Sequence, residues 1–564
     1  MRDLVFEAEQ QARDIIINAV KAAQASGDLP EADIPAFTIE IPADASHGDF
    51  ASNIAMAGAR AFRMAPAKIA AVIVDNLAFA GTFFSCAAVA GPGFLNLFVS
   101  REWFSRVLGA VSELGAEYGR TNRGAGKKVM VEFVSANPTG PMHMGNARGG
   151  VIGDCLAAVL DASGYRVERE FYLNDAGNQI EKFAVSLEAR YLQIYKGEEA
   201  VPFPEDGYHG HDIADLAREF ADIHADKYVG AGEKERREAL VAYALPKNIS
   251  SIRDTLLKYR IEYDTWFRES SLYEDGSIDL IMDKLRERGM AYEKDGAIWY
   301  AATKMGAEKD EVLIRQNGNP TYFAGDIAYH YNKFAIRGFD TVINIWGADH
   351  HGQVARLKKA LDSIGLHGDS LHIVLMQLVR LMKDGEPYRM SKRSGRSVTL
   401  SDLLEIVSAD AARFFFNMRE AGSAMDFDLG LAVQQNAQNP VYYVQYAHAR
   451  IYSIEKKLKS ENIDFENITE DEYGLLEAPE EIELIRLLAQ LPSVVAGAAE
   501  RYDTACLTRQ AIDTATQFHK FYTNCHVMVE DSKLCRARAG LCFATRTVIA
   551  NLLGLMKVSA PETM

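Results

Sequence analysis

Two loops in the chain bring together groups that can handle phosphate. The first reads Ser135-Ala136-Asn137-Pro138-Thr139-Gly140-Pro141-Met142-His143-Met144-Gly145-Asn146. Pro138 and Pro141 stiffen it, while Gly140 and Gly145 let its backbone approach a ligand closely. An apolar stretch of helical length follows, and a helix N-terminus attracts phosphate oxygens. His143 then stands where it can donate to a polyphosphate. A solitary histidine is more often a packing or surface residue; the strand, loop and helix around this one tip the balance towards function. The second loop reads Tyr388-Arg389-Met390-Ser391-Lys392-Arg393-Ser394-Gly395. Its three cations can meet the charge that develops on a departing pyrophosphate. A basic loop is ordinarily just solvated, so this segment gains meaning only beside the first.

Two other segments invite a reading and do not sustain it. Gly119-Arg120-Thr121-Asn122-Arg123-Gly124-Ala125-Gly126-Lys127-Lys128 looks like a phosphate loop, but the first glycine of that spacing falls on Thr121 and no Ser or Thr follows the lysine. Asp349-His350-His351 raises a metal reading, since Asp349 and His351 would share one face of a strand. No ligand-rich cluster accompanies them, so no dedicated metal site is expected.

The elements that must position the first loop read as strand, loop, helix, strand. Residues 129–134 are a short β-branched run, 149–160 an apolar helix stopped by Gly164, and 166–173 the next strand. This is a βαβ unit and predicts a parallel sheet, with ligands bound beyond the strand ends. The sheet resumes at 341–346 and 371–379. Residues 185–300 are charged, helical and without alternation, and read as insertions. From Ser401 onward nearly everything reads as helix. Before the sheet, helices are predicted over 3–24, 51–63 and 66–77, with an alternating strand at 94–99. The expected fold is multidomain α/β: an N-terminal α+β domain over 1–118, a Rossmann-like parallel-sheet catalytic domain over 119–400, and an all-α domain over 401–564.

Composition excludes little. The 564 residues are 48% hydrophobic and 25% charged, as in ordinary globular proteins. No stretch reads as an unbroken membrane span, and residues 1–7 carry acids and no apolar signal core, so a cytoplasmic location is expected. None of the six cysteines forms a Cys-x-x-Cys pair; Cys535 and Cys542, a helical repeat apart, read as buried thiols on one face. The net charge of −17 lowers the prior for a nucleic-acid partner without excluding local basic patches.

The two loops together resemble the paired signatures of class I aminoacyl-tRNA synthetases. His143-Met144-Gly145-Asn146 is similar to His-Ile-Gly-His, and Arg389-Met390-Ser391-Lys392-Arg393 to Lys-Met-Ser-Lys-Ser. Longer strings resemble the arginyl-tRNA synthetase family: Val131-Glu132-Phe133-Val134-Ser135-Ala136-Asn137-Pro138-Thr139-Gly140-Pro141, Gly347-Ala348-Asp349-His350-His351-Gly352, and Asn439-Pro440-Val441-Tyr442-Tyr443-Val444-Gln445-Tyr446-Ala447-His448-Ala449-Arg450. The likeness covers nearly the whole chain. It departs at Asn146, which can hydrogen-bond phosphate but carries no charge, and at Arg389 and Arg393, which keep cationic character while redistributing it.

The resemblance implies an arginine–tRNA ligase that uses ATP, Mg²⁺, L-arginine and tRNA(Arg), works as a monomer, and requires bound tRNA for activation. It implies catalytic roles for His143, Asn146 and Lys392. ATP contacts are implied for Pro138, Gly140, His143, Gly145, Asn146, Gly347, Asp349, His350, Met390, Ser391 and Lys392. Arginine contacts are implied for Glu132, Ser135 and Asn137 at the backbone groups and for Tyr322 and Asp326 at the guanidinium, which carboxylates hold in pairs. Tyr442, Tyr446, Arg450, Arg536 and Arg538 are implied in tRNA binding, where rings stack on unpaired bases and cations meet phosphates. The segment His47-Gly48-Asp49-Phe50 resembles the family's extra domain that touches the tRNA elbow. Three other readings compete. A different class I synthetase is disfavoured by Glu132 with Asp326, and a short nucleotidyltransferase by the long helical part. A non-catalytic descendant is disfavoured by His143, Gly145 and Lys392.

Overall fold

The computed structural model describes residues 3–42, 44–388 and 398–564. Its N-terminal unit opens with the helix Leu4–Ser26. The Asp3 side chain accepts from the Phe6 N–H at 3.0 Å to start it, and Gly27, at φ 85°, ends it. That helix packs beside a four-stranded antiparallel sheet in the order Ile39–Glu40, Phe50–Ser52, Phe94–Val99, Phe84–Ala90. The helix expected from residue 51 therefore begins only at Ile54, because Phe50, Ala51 and Ser52 pair with Leu97, Asn96 and Leu95. Local pattern alone does not distinguish a strand this short from a helix start.

The central unit is built on a five-stranded parallel sheet in the order Leu371–Met376, Thr341–Gly347, Lys128–Glu132, Arg166–Leu173, Thr265–Arg268. Lys128–Glu132 comes first in sequence and lies in the middle, with Val129, Met130 and Val131 buried from both faces. From it the chain goes first to one side and later to the other. The crevice between Lys128–Glu132 and Thr341–Gly347 is thus a topological switch point, where such sheets bind ligands. The helix Met144–Ala162 covers this region and approaches it closely: a Cβ on Gly153 would lie 2.2 Å from the Phe133 ring.

Several expected boundaries move. Thr265–Arg268, inside the expected insertion, is an edge strand of the main sheet; its four residues are too few to show alternation. Three further strands, Ala291–Lys294, Ala297–Tyr300 and Glu311–Ile314, form a small antiparallel sheet. The helices Asn178–Lys196, His211–His224 and Glu233–Lys258 do form an insertion, with a separate core of Phe183, Leu187, Tyr191, Phe220 and Leu240. The strand expected over 371–379 divides at Met376, and Val379–Lys383 pairs instead with Met425–Asp428, a strand within the expected helical part. Asp349 and His351 do not share a strand face, because Ala348–His350 is a 3-10 turn and His351–Ser363 a helix.

Beyond residue 400, Leu400–Ile406 and Ala409–Phe416 pack on Met144–Ala162, and the long helices Pro440–Ser460, Ala505–Asn524 and Ser532–Leu555 form the terminal bundle. Cys535 and Cys542 are buried on the last of these. The run Pro479–Arg501 has the length and hydropathy of a membrane span, contrary to the expectation that no stretch does. In the structure it is two helices, Pro479–Ala489 and Leu491–Arg501, each with one face in the bundle core. Arg413, fully buried, joins the units: it donates to Asp154 Oδ2 at 2.5 Å, to the Tyr259 carbonyl at 2.9 Å and to the Met556 carbonyl at 2.6 Å.

Candidate active site

Glu132 ends the central strand, and the chain turns sharply behind it. Val134 and Ser135 take φ of 68° and 43° in succession, a left-handed backbone that β-branched valine rarely adopts. Strain of this kind persists where the surrounding structure demands it. Here the turn throws Ser135 back onto the strand end. Ser135 Oγ donates to Glu132 Oε1 at 3.0 Å and accepts from the Tyr172 N–H at 3.1 Å. Further along the loop, Asn137 Oδ1 accepts from Asn174 Nδ2 at 2.9 Å, and Asn248 donates to the Pro138 carbonyl at 3.0 Å. His143, exposed, is the residue before the first turn of Met144–Ala162, so it stands at the positive end of that helix.

These residues wall a cleft of about 1050 Å³ at the switch point. It gathers Glu132, Ser135, Asn137, Gly140, His143, Asn146, Asp326, Gly347 and His350. Pro138 is buried behind the loop, Gly145 and Asp349 are exposed, and none of the three lines the cleft. Tyr322 is 52% exposed and does not line it; its hydroxyl is 3.9 Å from where a Cβ on Gly177 would be. Met390, Ser391 and Lys392, with Arg389 and Arg393, lie outside the described residues. The chain re-enters against the first loop: Met144 N–H donates to the Val398 carbonyl at 2.9 Å, and Leu400 N–H to the Met142 carbonyl at 3.0 Å.

One end of the cleft is acidic. Tyr322–Tyr331, started by the Thr321 side chain, presents Tyr322 and Asp326 one turn apart. Burial, with Glu132 and Glu269 nearby, pushes Asp326 up to about 7. Glu269 is a residue the sequence reading missed. It is 3% exposed and follows the edge strand Thr265–Arg268, and burial pushes it to about 7 as well. Tyr273 donates to its Oε1 at 3.0 Å, while Oε2 is buried with no hydrogen-bond partner among the described residues. Asp326 is partly exposed and lines the cleft, and Glu269 lies buried close enough to raise it; an Asp326 carboxyl on the wall and a Glu269 oxygen with no partner suit a cation with several N–H donors. No motif flags Glu269, because its partner Asp326 lies on a different element. His330, Lys333 and Asn344 were missed as well; they form a buried chain reaching Glu132.

The other end carries residues of the insertion. Tyr208, His209 and Asp212 line it, and a Cβ on Gly140 would be 3.2 Å from Asp212 Oδ2. The insertion thus closes the side of the cleft at Gly140.

In the terminal bundle, Tyr442, Tyr446 and Arg450 follow one another at four-residue spacing on Pro440–Ser460. The Tyr442 and Tyr446 rings lie 6° from parallel with centroids 6.5 Å apart, and Arg450 donates to Tyr446 Oη at 2.7 Å. Tyr446 and Arg450 line a groove with Lys457, Tyr522 and Met564. Arg536 and Arg538 are placed differently. Arg536 donates to Glu472 at 2.7 Å, to Asp464 at 2.9 Å and to the Glu466 carbonyl at 2.8 Å; Arg538 donates to Glu481 and to the His526 carbonyl. Both guanidiniums therefore brace the bundle internally.

A parallel sheet with a helix starting at its switch point and a helical bundle at the C-terminus fits the fold of a class I aminoacyl-tRNA synthetase. Residues 10–99 match the family described as arginyl tRNA synthetase N terminal domain, residues 111–445 that of tRNA synthetases class I (R), catalytic domain, and residues 444–564 the DALR anticodon binding domain. The catalytic match continues past residue 400, in keeping with the packing of 400–416 on Met144–Ala162. The chain is 50% identical to the arginine–tRNA ligase of Ruminiclostridium cellulolyticum and 51% identical to that of Caldanaerobacter subterraneus subsp. tengcongensis, each over 564 residues and 100% of both chains. The arginyl-tRNA synthetase of Thermus thermophilus has the same fold, with a TM-score of 0.73 and 21% identity over 97% of this chain and 99% of that one. The chain belongs to the arginyl-tRNA synthetase family.

Proposed function

We propose that the enzyme activates L-arginine with ATP and transfers it to the 3′-terminal adenosine of tRNA(Arg). The observation that carries the choice of amino acid is the pair Asp326, on the cleft wall, and buried Glu269, both raised to about 7, the latter with an unused acceptor. A guanidinium offers a planar fork of N–H donors to such a pair, where the single ammonium of lysine or the neutral amide of glutamine fits poorly. Tyr322 closes the guanidinium side. Glu132, Ser135 and Asn137 take the α-ammonium and backbone groups at the other end.

In the first step an oxygen of the arginine carboxylate bonds to the α-phosphorus of ATP, and the bond to the β-phosphate oxygen breaks. Pyrophosphate leaves with the electron pair. The attacking carboxylate is already ionised at neutral pH, so positioning and charge stabilisation supply the catalysis. His143 and Asn146 hold phosphate oxygens, Gly347 and His350 the adenosine side, and Lys392 the departing pyrophosphate. Mg²⁺ neutralises phosphate charge when bound. No group of three or more His, Cys, Asp or Glu among the described residues is placed to hold an ion. In the second step a ribose hydroxyl of the terminal adenosine, the 2′ in class I enzymes, attacks the arginyl carbonyl carbon. AMP departs and the hydroxyl loses its proton.

The face bearing Tyr442, Tyr446 and Arg450 takes unpaired bases of the tRNA, and the enzyme works as a cytoplasmic monomer that activates arginine only with tRNA bound. The family likeness supports these readings. Aminoacylation with arginine, lysine and glutamine tests the reaction, and pyrophosphate exchange with and without tRNA tests the tRNA requirement. Charging by lysine at the arginine rate would sink the specificity; full exchange without tRNA would sink the requirement.

A further inference from the structure

Lys333 is a fully buried cation that none of the roles above uses. It sits in the π-helical turn Asn332–Ile336 that extends Tyr322–Tyr331. Such wide turns often mark functional positions. Its place in the chain keeps it on the face that carries Tyr322, Asp326 and Tyr329, each three or four residues from the next. The Lys333 ammonium lies 2.5 Å from Glu132 Oε2, 3.3 Å from Asn344 Oδ1 and 4.0 Å from the centre of the Tyr329 ring. Its donors thus meet a carboxylate, an amide oxygen and a π face.

The polarity of the chain behind it is fixed. A carbonyl only accepts, so His330 Nδ1 carries a proton and donates to the Asp326 carbonyl at 2.8 Å. Burial and the Lys333 charge hold His330 well below its ordinary range, so the ring is neutral and Nε2 accepts. Asn344 Nδ2 donates to it at 3.0 Å, which turns Asn344 Oδ1 towards Lys333. Glu132 is therefore pinned at both oxygens, by Lys333 on one and Ser135 on the other, while it still lines the cleft. A carboxylate grips an ammonium ion best when its rotamer is settled before the ligand arrives.

We propose that Lys333 is a positioning residue: its ammonium, set in place by Asn344 and His330, fixes the Glu132 carboxylate that takes the α-ammonium of arginine. This rests on the role given to Glu132 above.

The test compares two ligands by calorimetry, L-arginine and δ-guanidinovalerate, which lacks only the α-amino group. The proteins are the wild type, Glu132→Gln, Lys333→Met and Lys333→Gln. The wild type prefers arginine. Lys333→Met is expected to reduce that preference about 30-fold or more while moving the affinity for the analogue by less than about two-fold, since a buried charge pair loses one partner. Lys333→Gln, which keeps N–H donors without the charge, gives a smaller reduction and serves if Lys333→Met does not melt cooperatively. If Glu132→Gln abolishes the preference and both Lys333 variants keep it, the proposal is overturned and the role of Glu132 stands. If Lys333 variants weaken both ligands alike, the lysine is merely structural and the proposal is overturned. If Glu132→Gln keeps the preference, the role of Glu132 falls and the proposal with it.

Discussion

The backbone N–H of Met144 donates to the carbonyl of Val398 at 2.9 Å, which ties the first signature loop to the segment that follows the second. Thr399 pairs with His143 across the same bridge. Two stretches far apart in sequence are thus joined at the residue expected to meet the phosphates.

The role proposed for Lys392 is testable. Lys392→Ala is expected to lower the rate of arginine-dependent pyrophosphate exchange about 100-fold or more, the usual size of losing one group that stabilises transition-state charge. The dissociation constant for arginine should stay unchanged. A normal exchange rate would remove Lys392 from the chemistry.

Asp326 and Glu269 make stability depend on pH in an unusual direction. Both are pushed up to about 7, so between their unfolded values and 7 the folded protein binds more protons than the unfolded chain. Their contribution to stability is present at low pH and is lost as pH rises through 7, at roughly 1 kcal/mol per pH unit for each group. A bound guanidinium offsets the loss. Saturating arginine should therefore raise the melting temperature more at pH 8 than at pH 6, and its binding near pH 7 should release protons, read by calorimetry in buffers of different ionisation enthalpy. An equal rise at both pH values would argue against a guanidinium beside these carboxyls.

Arg413 is fully buried and pairs with Asp154, which is also fully buried. Its truncation to alanine leaves Asp154 with Lys557, at 2.9 Å, and the more distant Arg169. A loss of about 3–5 kcal/mol in urea unfolding is expected, the range for breaking a buried pair. A loss below about 1 kcal/mol, the range for an exposed pair, would show that water replaces the arginine readily.

Arg450 and Arg536 should separate cleanly. Arg450→Ala is expected to weaken tRNA binding with little change in melting. Arg536→Ala should lower the melting temperature, since it removes contacts to Glu472, Asp464 and Glu466, and should leave tRNA affinity near normal in the folded fraction. Filter binding and thermal melting of both variants decide this; the opposite pattern would place the tRNA on the other face of the bundle.

By itself the sequence determined what is local. The proline- and glycine-rich loop around His143, the apolar run of the helix behind it and the β-branched run over 129–134 are each visible within a few residues, because periodicity and turn chemistry are local properties. The four-residue step from Tyr442 to Tyr446 to Arg450 is local as well, and the bundle keeps it on one face. Tertiary structure decided which distant residues share an environment. Glu132 meets Lys333 across 201 positions, and Asp326 feels Glu269 from the far edge strand, because strand order places them there. The same reason separates Arg536 from Arg450: both look like cations on helices, yet only folding shows that acids from another segment have taken up the Arg536 guanidinium.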